Sequence, residues 1–234
     1  MVTLTIDGRM IRVQDETPII EAARQLEINI PTLCHHETLK PYGACRLCVV
    51  EIVNHKWSGL VTSCNYPARE GLEVFTASDR VKRTRRVLLE FFLARCPNVP
   101  VIKQMTEKMG LKTSRFKKKE DERCILCGLC VRACEEMVGV SAISFSNRGT
   151  EREVNTPFGV ESEVCIGCGA CSYICPTGCI EMVGRPYAPG GRHLKMGDLA
   201  LDPCPNDYQC VTCELEKQFL EEMKEAVKDF RQQG

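Results

Sequence analysis

The chain has 234 residues, 17 of them cysteine, with 31 basic side chains against 31 acidic ones. That length supports one large domain or two ordinary ones around a real apolar core, so cysteine is not needed to staple a miniature fold, and an odd count excludes a framework in which every thiol is paired. A formal charge of zero gives no electrostatic reason to expect nucleic acid; metal-ligating thiols are ionised, so a metal-loaded chain is more acidic than that sum.

The opening MVTLTIDGRMIRV carries Asp7, Arg9 and Arg12 and lacks the apolar core of a secretion signal. Val2, Leu4 and Ile6 alternate up to Asp7-Gly8, and Ile11 and Val13 follow, which predicts a tight β-hairpin. Thr17-Pro18 predicts a helix start, with Thr17 as N-cap and Pro18 in the first helical position. Ile19, Ile20, Ala23 and Leu26 give that helix an apolar face, and Pro31 closes it. A cysteine-rich loop runs to Cys48, VVEIV at 49–53 reads as a strand, and after Cys64 a short strand near LEVFTA completes a β-rich unit. Asp79 is the expected cap of a second helix reaching about Arg95, with Val81, Leu88, Phe91 and Phe92 on one face. Its Arg80, Lys82, Arg83, Arg85 and Arg86 read as a solvated face, with a docking face for an acidic partner as the alternative.

The most apolar stretch, VLLEFFLA at 87–94, is interrupted by Glu90 and ended by Arg95, so no membrane span is expected. The absence of a signal and of a span predicts a cytoplasmic chain, where thiols stay reduced and clustered ones most often bind metal. Residues 97–123 read as a Lys-rich connector with one short helix. GRPYAPGGR at 184–192 reads as a loop. ELEKQFLEEMKEAVKDFRQQ is an amphipathic helix whose Leu215, Phe219, Met223, Val227 and Phe230 form a packing stripe.

Cys165, Cys168, Cys171, Cys175 and Pro176 reproduce the C-x2-C-x2-C-x3-C-P spacing of bacterial ferredoxins in full. Cys124, Cys127, Cys130 and Cys134 repeat the spacing with Glu135 in place of the proline. Three thiolates two residues apart wrap one cubane cluster, and Gly128, Gly167 and Gly169 let the intervening amides turn towards sulfur. In a paired arrangement the fourth cysteine of each run serves the other cube. The expected 4Fe–4S ligand sets are therefore Cys124, Cys127, Cys130 and Cys175, and Cys134, Cys165, Cys168 and Cys171. Structural zinc is the competing reading, but zinc sites combine two ligand pairs and not a triple with a distant fourth.

Upstream, Cys34, Cys45, Cys48 and Cys64 read C-x10-C-x2-C-x15-C. Plant-type 2Fe–2S sites read C-x4-C-x2-C…C, so the middle pair agrees and the first gap is longer. A 2Fe–2S cluster is expected there, with zinc as the alternative; Gly43 and Ala44 keep side chains clear of the sulfurs, and His35 and His36 read as non-ligands because four cysteines are present. Cys179, Cys204, Cys210 and Cys213 make a further candidate set, for a fourth cluster or a metal, with buried structural thiols as the alternative. Cys96 reads as a bystander.

The order of motifs, an N-terminal C-x10-C-x2-C…C domain, then LLEFFLA, then RCILCGLCVRACEE…AISFSNRG, then CIGCGACSYICPTG, resembles one family over roughly residues 1–185. It is similar to the small iron–sulfur subunit of the diaphorase module of NAD-reducing hydrogenases. It also resembles the N-terminal iron–sulfur region of the largest peripheral subunit of complex I, with related segments in formate dehydrogenases and electron-bifurcating hydrogenases. The resemblance implies an α+β chain: a β-grasp, plant-type 2Fe–2S ferredoxin domain at 1–78, a helical connector at 79–123 and a bacterial-type ferredoxin domain with two 4Fe–4S clusters at 124–185; outside it, residues 186–234 read from their own pattern as an extension with a candidate extra cluster at Cys204, Cys210 and Cys213 and an amphipathic C-terminal helix. That family often carries a further 4Fe–4S site of one histidine and three cysteines after the LLEFFLA helix. Here ARCPNVPVIKQMTEKMG offers one cysteine and no histidine, so that site is expected to be absent. The hydrogen- or formate-activating domains are likewise not expected.

No G-x-G-x-x-G follows a strand and no P-loop is present, so NAD and flavin chemistry is expected on a partner. The reading is a non-catalytic electron relay between a flavin- and NAD-binding diaphorase subunit and a hydrogenase- or dehydrogenase-type subunit. A freely diffusing ferredoxin-like carrier, the iron–sulfur subunit of a succinate or fumarate reductase, and a zinc-bound interaction module are the alternatives.

Overall fold

The computed structural model describes residues 1–54, 57–119 and 121–181. They fall into two compact units, Met1–Leu129 and the part from Cys130 onward. In the first, β1 (Val2–Ile6) and β2 (Arg9–Val13) pair antiparallel, with Val2 opposite Val13 and Ile6 opposite Arg9. Asp7 and Gly8 turn the chain at φ of 47° and 80°, left-handed values that Asp-Gly tolerates. β3 (Val49–Asn54), β4 (Trp57–Thr62) and β5 (Leu72–Phe75) complete a mixed five-stranded sheet in the order β2-β1-β5-β3-β4, in which β1 and β5 run parallel.

β4 is an element that the sequence did not announce. Its WSGLVT carries Ser58 and Gly59 where a strand wants branched side chains, and Trp57 fills the gap. A Cβ on Gly59 would meet the Trp57 ring at 2.1 Å, so the indole lies over the glycine of its own strand.

One face of the sheet is covered by α1 (Ile19–Gln25). Leu4, Ile6, Ile19, Ile20, Ala23, Val50, Ile52 and Val74 are 0–1% exposed and form the core. Each large side chain so buried stabilises by about 1.5–3 kcal/mol. The helix starts one residue later than expected: Pro18, at ψ 142°, takes the cap position, and no side chain caps it. Thr17 is drawn instead into the loop, its carbonyl accepting from the Ala68 amide. The helix also ends well before Pro31, where Glu27 enters the left-handed region at φ 60° and the Ile28 amide turns back to the Ala23 carbonyl.

α2 (Asp79–Arg95) is capped by Ser78 and not by Asp79: the Ser78 hydroxyl accepts from the Val81 amide at 3.3 Å, and Asp79 is the acid of the first turn. Its buried stripe is Val81, Leu89 and Leu93, not the expected Val81, Leu88, Phe91 and Phe92. Phe91 is half exposed and stacks on Phe116 at 4.3 Å. The short helix expected in the connector is α3 (Pro100–Lys108).

In the second unit α4 (Leu129–Arg132) runs into a π-helical turn, Ala133–Val138, that ends at Gly139. β6 (Ser144–Ser146) and β7 (Glu153–Asn155) form a hairpin, with the Arg152 guanidinium 4.0 Å over the Phe145 ring. α5 (Ala170–Tyr173) packs on the π-helical turn. The expected loop at 184–192 and the C-terminal amphipathic helix lie outside the described residues. Among those described, no helix is long and apolar enough to cross a membrane.

Candidate metal centres

The loop between α1 and β3 supplies Cys34 and Cys45, Cys48 stands at the entry to β3, and Cys64 follows β4. Exposure of the four is 0–4%. Their sulfurs form two hydrogen-bonding pairs, Cys34 with Cys45 and Cys48 with Cys64, and each pair feels the charge of the other. Backbone amides also point at sulfur: Leu33 N–H donates to Cys45 Sγ at 3.4 Å and Cys45 N–H to Cys34 Sγ at 3.3 Å. The Cys34 hydrogen bond draws the Cys45 pKa down to about 6, with the Leu33 and Leu47 amides helping and burial opposing. The Cys64 hydrogen bond likewise draws Cys48 down to about 7, against burial. Cys34 and Cys64, the thiols that keep their protons, are pushed up.

Two sulfur pairs suit a two-iron cluster, in which each iron takes two thiolates. Among the described residues no three His, Cys, Asp or Glu side chains converge as a single metal ion requires. The loop geometry depends on Gly43 at φ 74° and Arg46 at φ 61°. A Cβ at Gly43 would sit 3.0 Å from Asn65 Nδ2, so the glycine answers a backbone demand and a neighbouring amide, not clearance around sulfur. His35 Nε2 pairs with Glu21 Oε1 at 2.8 Å, and His36 Nδ1 with the Thr38 hydroxyl at 2.8 Å.

Farther along the first unit, the run that begins at Cys124 is tied to the end of α2. Arg95 Nε donates to the Cys124 carbonyl at 2.6 Å and Nη2 to Glu122 Oε2 at 3.2 Å, while Glu122 Oε1 accepts from the Cys124 amide at 2.8 Å. Leu126 N–H donates to Cys124 Sγ at 3.4 Å. Leu126 and Gly128, on either side of Cys127, have φ of 55° and 77°.

In the second unit Cys130 and Cys134 are buried, and Ala142 N–H donates to Cys134 Sγ at 3.2 Å. Gly167 and Gly169, on either side of Cys168, have φ of 66° and 77°. Burial raises the Cys168 thiol and lifts Cys171 to about 11, and the Cys134 sulfur is close enough to add to both shifts. Cys175 Sγ accepts from the Cys179 amide at 3.3 Å. Of the fourth candidate set only Cys179 is described; Cys204, Cys210 and Cys213 lie outside the described residues. Cys96 is buried at the end of α2, and burial pushes its thiol up to about 12, far from reactive.

Residues 1–79 match the model of a 2Fe-2S iron–sulfur cluster binding domain, and residues 118–182 that of a 4Fe-4S dicluster domain. The chain is therefore an iron–sulfur protein of two domain types in series. Its relatives define it more narrowly. It is 36% identical over 216 residues to the NADPH-Fe(3+) oxidoreductase subunit alpha of Geobacter sulfurreducens, a match spanning 82% of this chain and 25% of that protein. It is 30% identical over 211 residues to the NADP-reducing hydrogenase subunit HndD of Solidesulfovibrio fructosivorans, spanning 77% of this chain and 36% of that one. In the crystal structure of an NAD+-reducing nickel–iron hydrogenase in its H2-reduced state, one chain superposes with a TM-score of 0.65 and 29% identity, covering 76% of this chain and 85% of that chain. The resemblance read from the cysteine runs holds: the chain is homologous to subunits of NAD(P)-linked hydrogenases and NADH-quinone oxidoreductases. It spans about a quarter to a third of the length of the curated relatives it matches.

Proposed function

We propose that this chain is the electron-transfer subunit of a cytoplasmic, multi-subunit NAD(P)-linked oxidoreductase of the hydrogenase or formate dehydrogenase type. It relays electrons between a flavin- and NAD-binding subunit and a second catalytic subunit, and it makes and breaks no substrate bonds itself. Cys34, Cys45, Cys48 and Cys64 hold one 2Fe–2S cluster in a β-grasp domain. Cys124, Cys127, Cys130 and Cys175 hold one 4Fe–4S cluster, and Cys134, Cys165, Cys168 and Cys171 the other. The observation that carries the reading is the burial of four thiols in two hydrogen-bonding pairs in the 1–79 domain.

Bound clusters supply one-electron chemistry whose potential follows charge, hydrogen bonds and exposure. The chain's own contribution is to fix the thiolates and direct amide N–H groups at them. At least one such donor reaches sulfur in every proposed ligand set, at Cys34 and Cys45, at Cys124 and Cys175, and at Cys134. The set of Cys134, Cys165, Cys168 and Cys171 is the least enclosed, Cys165 being exposed, so it is where this reading puts exchange with a partner.

Anaerobic purification from the native source tests the proposal. The expected result is about ten iron atoms and matching acid-labile sulfide per chain, three paramagnetic centres on reduction, and co-purifying flavin- and hydrogen- or formate-activating subunits. Zinc in place of iron overturns the cluster assignment. A monomer that shuttles electrons while free in solution overturns the subunit assignment.

A further inference from the structure

The buried stripe of α2 steps by four residues through Val81, Leu89 and Leu93, and the position between the first two is Arg85. A cation there is out of place by hydrophobic pattern alone. Lys82, Arg83 and Arg86 on the same helix are exposed, whereas Arg85 turns inward. Its Nε donates to the Leu47 carbonyl at 3.0 Å and its Nη2 to the Val49 carbonyl at 2.7 Å. Leu47 and Val49 are the residues on either side of Cys48.

The planar fork of a guanidinium fits such a pair of acceptors, and a lysine ammonium reaches both only by flexing. Burial lowers the guanidinium's pKa from its ordinary value, and the charges of Cys48 and Asp7 oppose that shift. Arginine stays protonated in this setting. A leucine at this position would fill the stripe with less desolvation. What the arginine adds is a fixed positive charge beside a ligand loop.

We propose that Arg85 is a positioning and potential-setting residue of the first metal site: it locks the carbonyls that flank Cys48 and holds a permanent cation that favours the reduced state of the cluster bound there. The inference rests on the assignment of Cys34, Cys45, Cys48 and Cys64 as 2Fe–2S ligands. With a cluster bound, its reduction would take one electron from the titrating dithionite and no proton to or from Arg85, and the guanidinium would stabilise the added negative charge through Coulomb attraction that the low-dielectric surroundings strengthen.

The test is a mediated redox titration of the whole chain, followed by the paramagnetic signal of the reduced 2Fe–2S centre, for wild type, R85Q, R85K and R83Q. At the wild-type midpoint R85Q is expected to be at least tenfold more oxidised, equivalent to a midpoint lower by 59 mV for one electron. R85K, which keeps the charge, and R83Q, which loses an equal charge from the exposed face, are each expected to stay within threefold of wild type. The 4Fe–4S signals are expected not to move in any variant. The proposal is overturned if R85Q titrates with wild type, or if R83Q moves as far as R85Q. Where R85Q does not assemble the centre, R85K decides: a tenfold displacement in it also overturns the proposal. A wild-type chain with no 2Fe–2S signal removes the ligand assignment as well, which an unmoved midpoint does not.

Discussion

Ser78 joins the sheet to the helix that carries Arg85, and its replacement by alanine has a cost that the structure lets one work out. The Ser78 hydroxyl caps α2 by accepting from the Val81 amide, and it donates to Glu51 Oε2 at 2.6 Å. Loss of an N-cap costs about 1 kcal/mol. The bond to the Glu51 carboxylate contributes about 1 kcal/mol more, below the roughly 1.5–3 kcal/mol usual for a charged acceptor because Glu51 keeps Arg80 and part of its hydration. S78A is therefore expected to be about 2 kcal/mol less stable, a fall of about 1 M in urea midpoint for a slope of about 2 kcal/mol/M. The assay is anaerobic urea unfolding followed by far-ultraviolet dichroism. The Ser78 hydroxyl, and after it Arg80, lowers the Glu51 pKa. A depressed carboxylate stabilises above its unfolded pKa and loses that contribution as pH falls through its folded one. The S78A deficit is thus expected to shrink towards the cap alone below the ordinary glutamate value of 4.5. A double-mutant cycle with E51Q should give a coupling of about 1 kcal/mol. An S78A chain within about 0.5 kcal/mol of wild type, or strict additivity with E51Q, refutes the reasoning.

Three further outcomes follow from the ligand sets and their loops. C134A is expected to abolish the 4Fe–4S signal that also depends on Cys165, Cys168 and Cys171 while sparing that of Cys124, Cys127 and Cys130, with iron falling from about ten to about six per chain; the opposite loss, read by paramagnetic resonance, excludes cross-ligation. G43A is expected to cost about 1–2 kcal/mol in the same urea assay, because alanine resists a φ of 74° and its methyl crowds Asn65. The cluster-free protein is expected to be most stable near pH 9. Cys45 and Cys48 ionise near 6 and 7 in the folded chain against an ordinary value of 9.0, so between about pH 7 and 9 the unfolded chain holds more protons and stability rises with pH. Above 9 the raised Cys34 and Cys64 keep protons that the unfolded chain has lost, and stability falls. A stability profile flat across that range, measured by urea midpoints, contradicts the paired-thiol arrangement.

What the sequence made legible was whatever repeats at fixed spacing. The Asp7-Gly8 hairpin, the strands at 49–54 and 72–75, and the helix spanning 79–95 follow from local pattern and turn chemistry. β4 was hidden because Gly59 has no side chain of its own to signal a strand, and the indole of Trp57 substitutes for one. The caps were misplaced by single residues because tertiary hydrogen bonds decide them: the Thr17 carbonyl is taken by the Ala68 amide, leaving Pro18 at an uncapped start, and Ser78, tied to Glu51, caps in place of Asp79. Arg85 was lost among five basic residues in seven positions, since charge alone does not tell a solvated guanidinium from one turned onto carbonyls 38 and 36 residues earlier in the chain. Arg95 and Glu122, which hold the start of the first cubane run, leave no spacing signature at all, being 27 residues apart.

The ligand loops themselves show why spacing was the strongest signal and yet incomplete. To aim an N–H at a sulfur two residues away, the backbone has to invert its usual sense, and it does so beside the second cysteine of each run: at Gly43 and Arg46 around Cys45, at Leu126 and Gly128 around Cys127, and at Gly167 and Gly169 around Cys168. Glycine does this freely; arginine and leucine do it against about 1 kcal/mol or more each. Glycine was therefore a readable mark at four of the six positions, while Arg46 and Leu126 gave none. That the chain accepts the strain at those two places, and at Leu126 repeats the conformation that Gly167 has in the matching position, means that the geometry around sulfur was selected ahead of local backbone preference. Strain of this kind persists only where surrounding interactions over-determine it. Here they include the Leu33 and Leu126 amides on sulfur and the Arg95–Glu122 clamp.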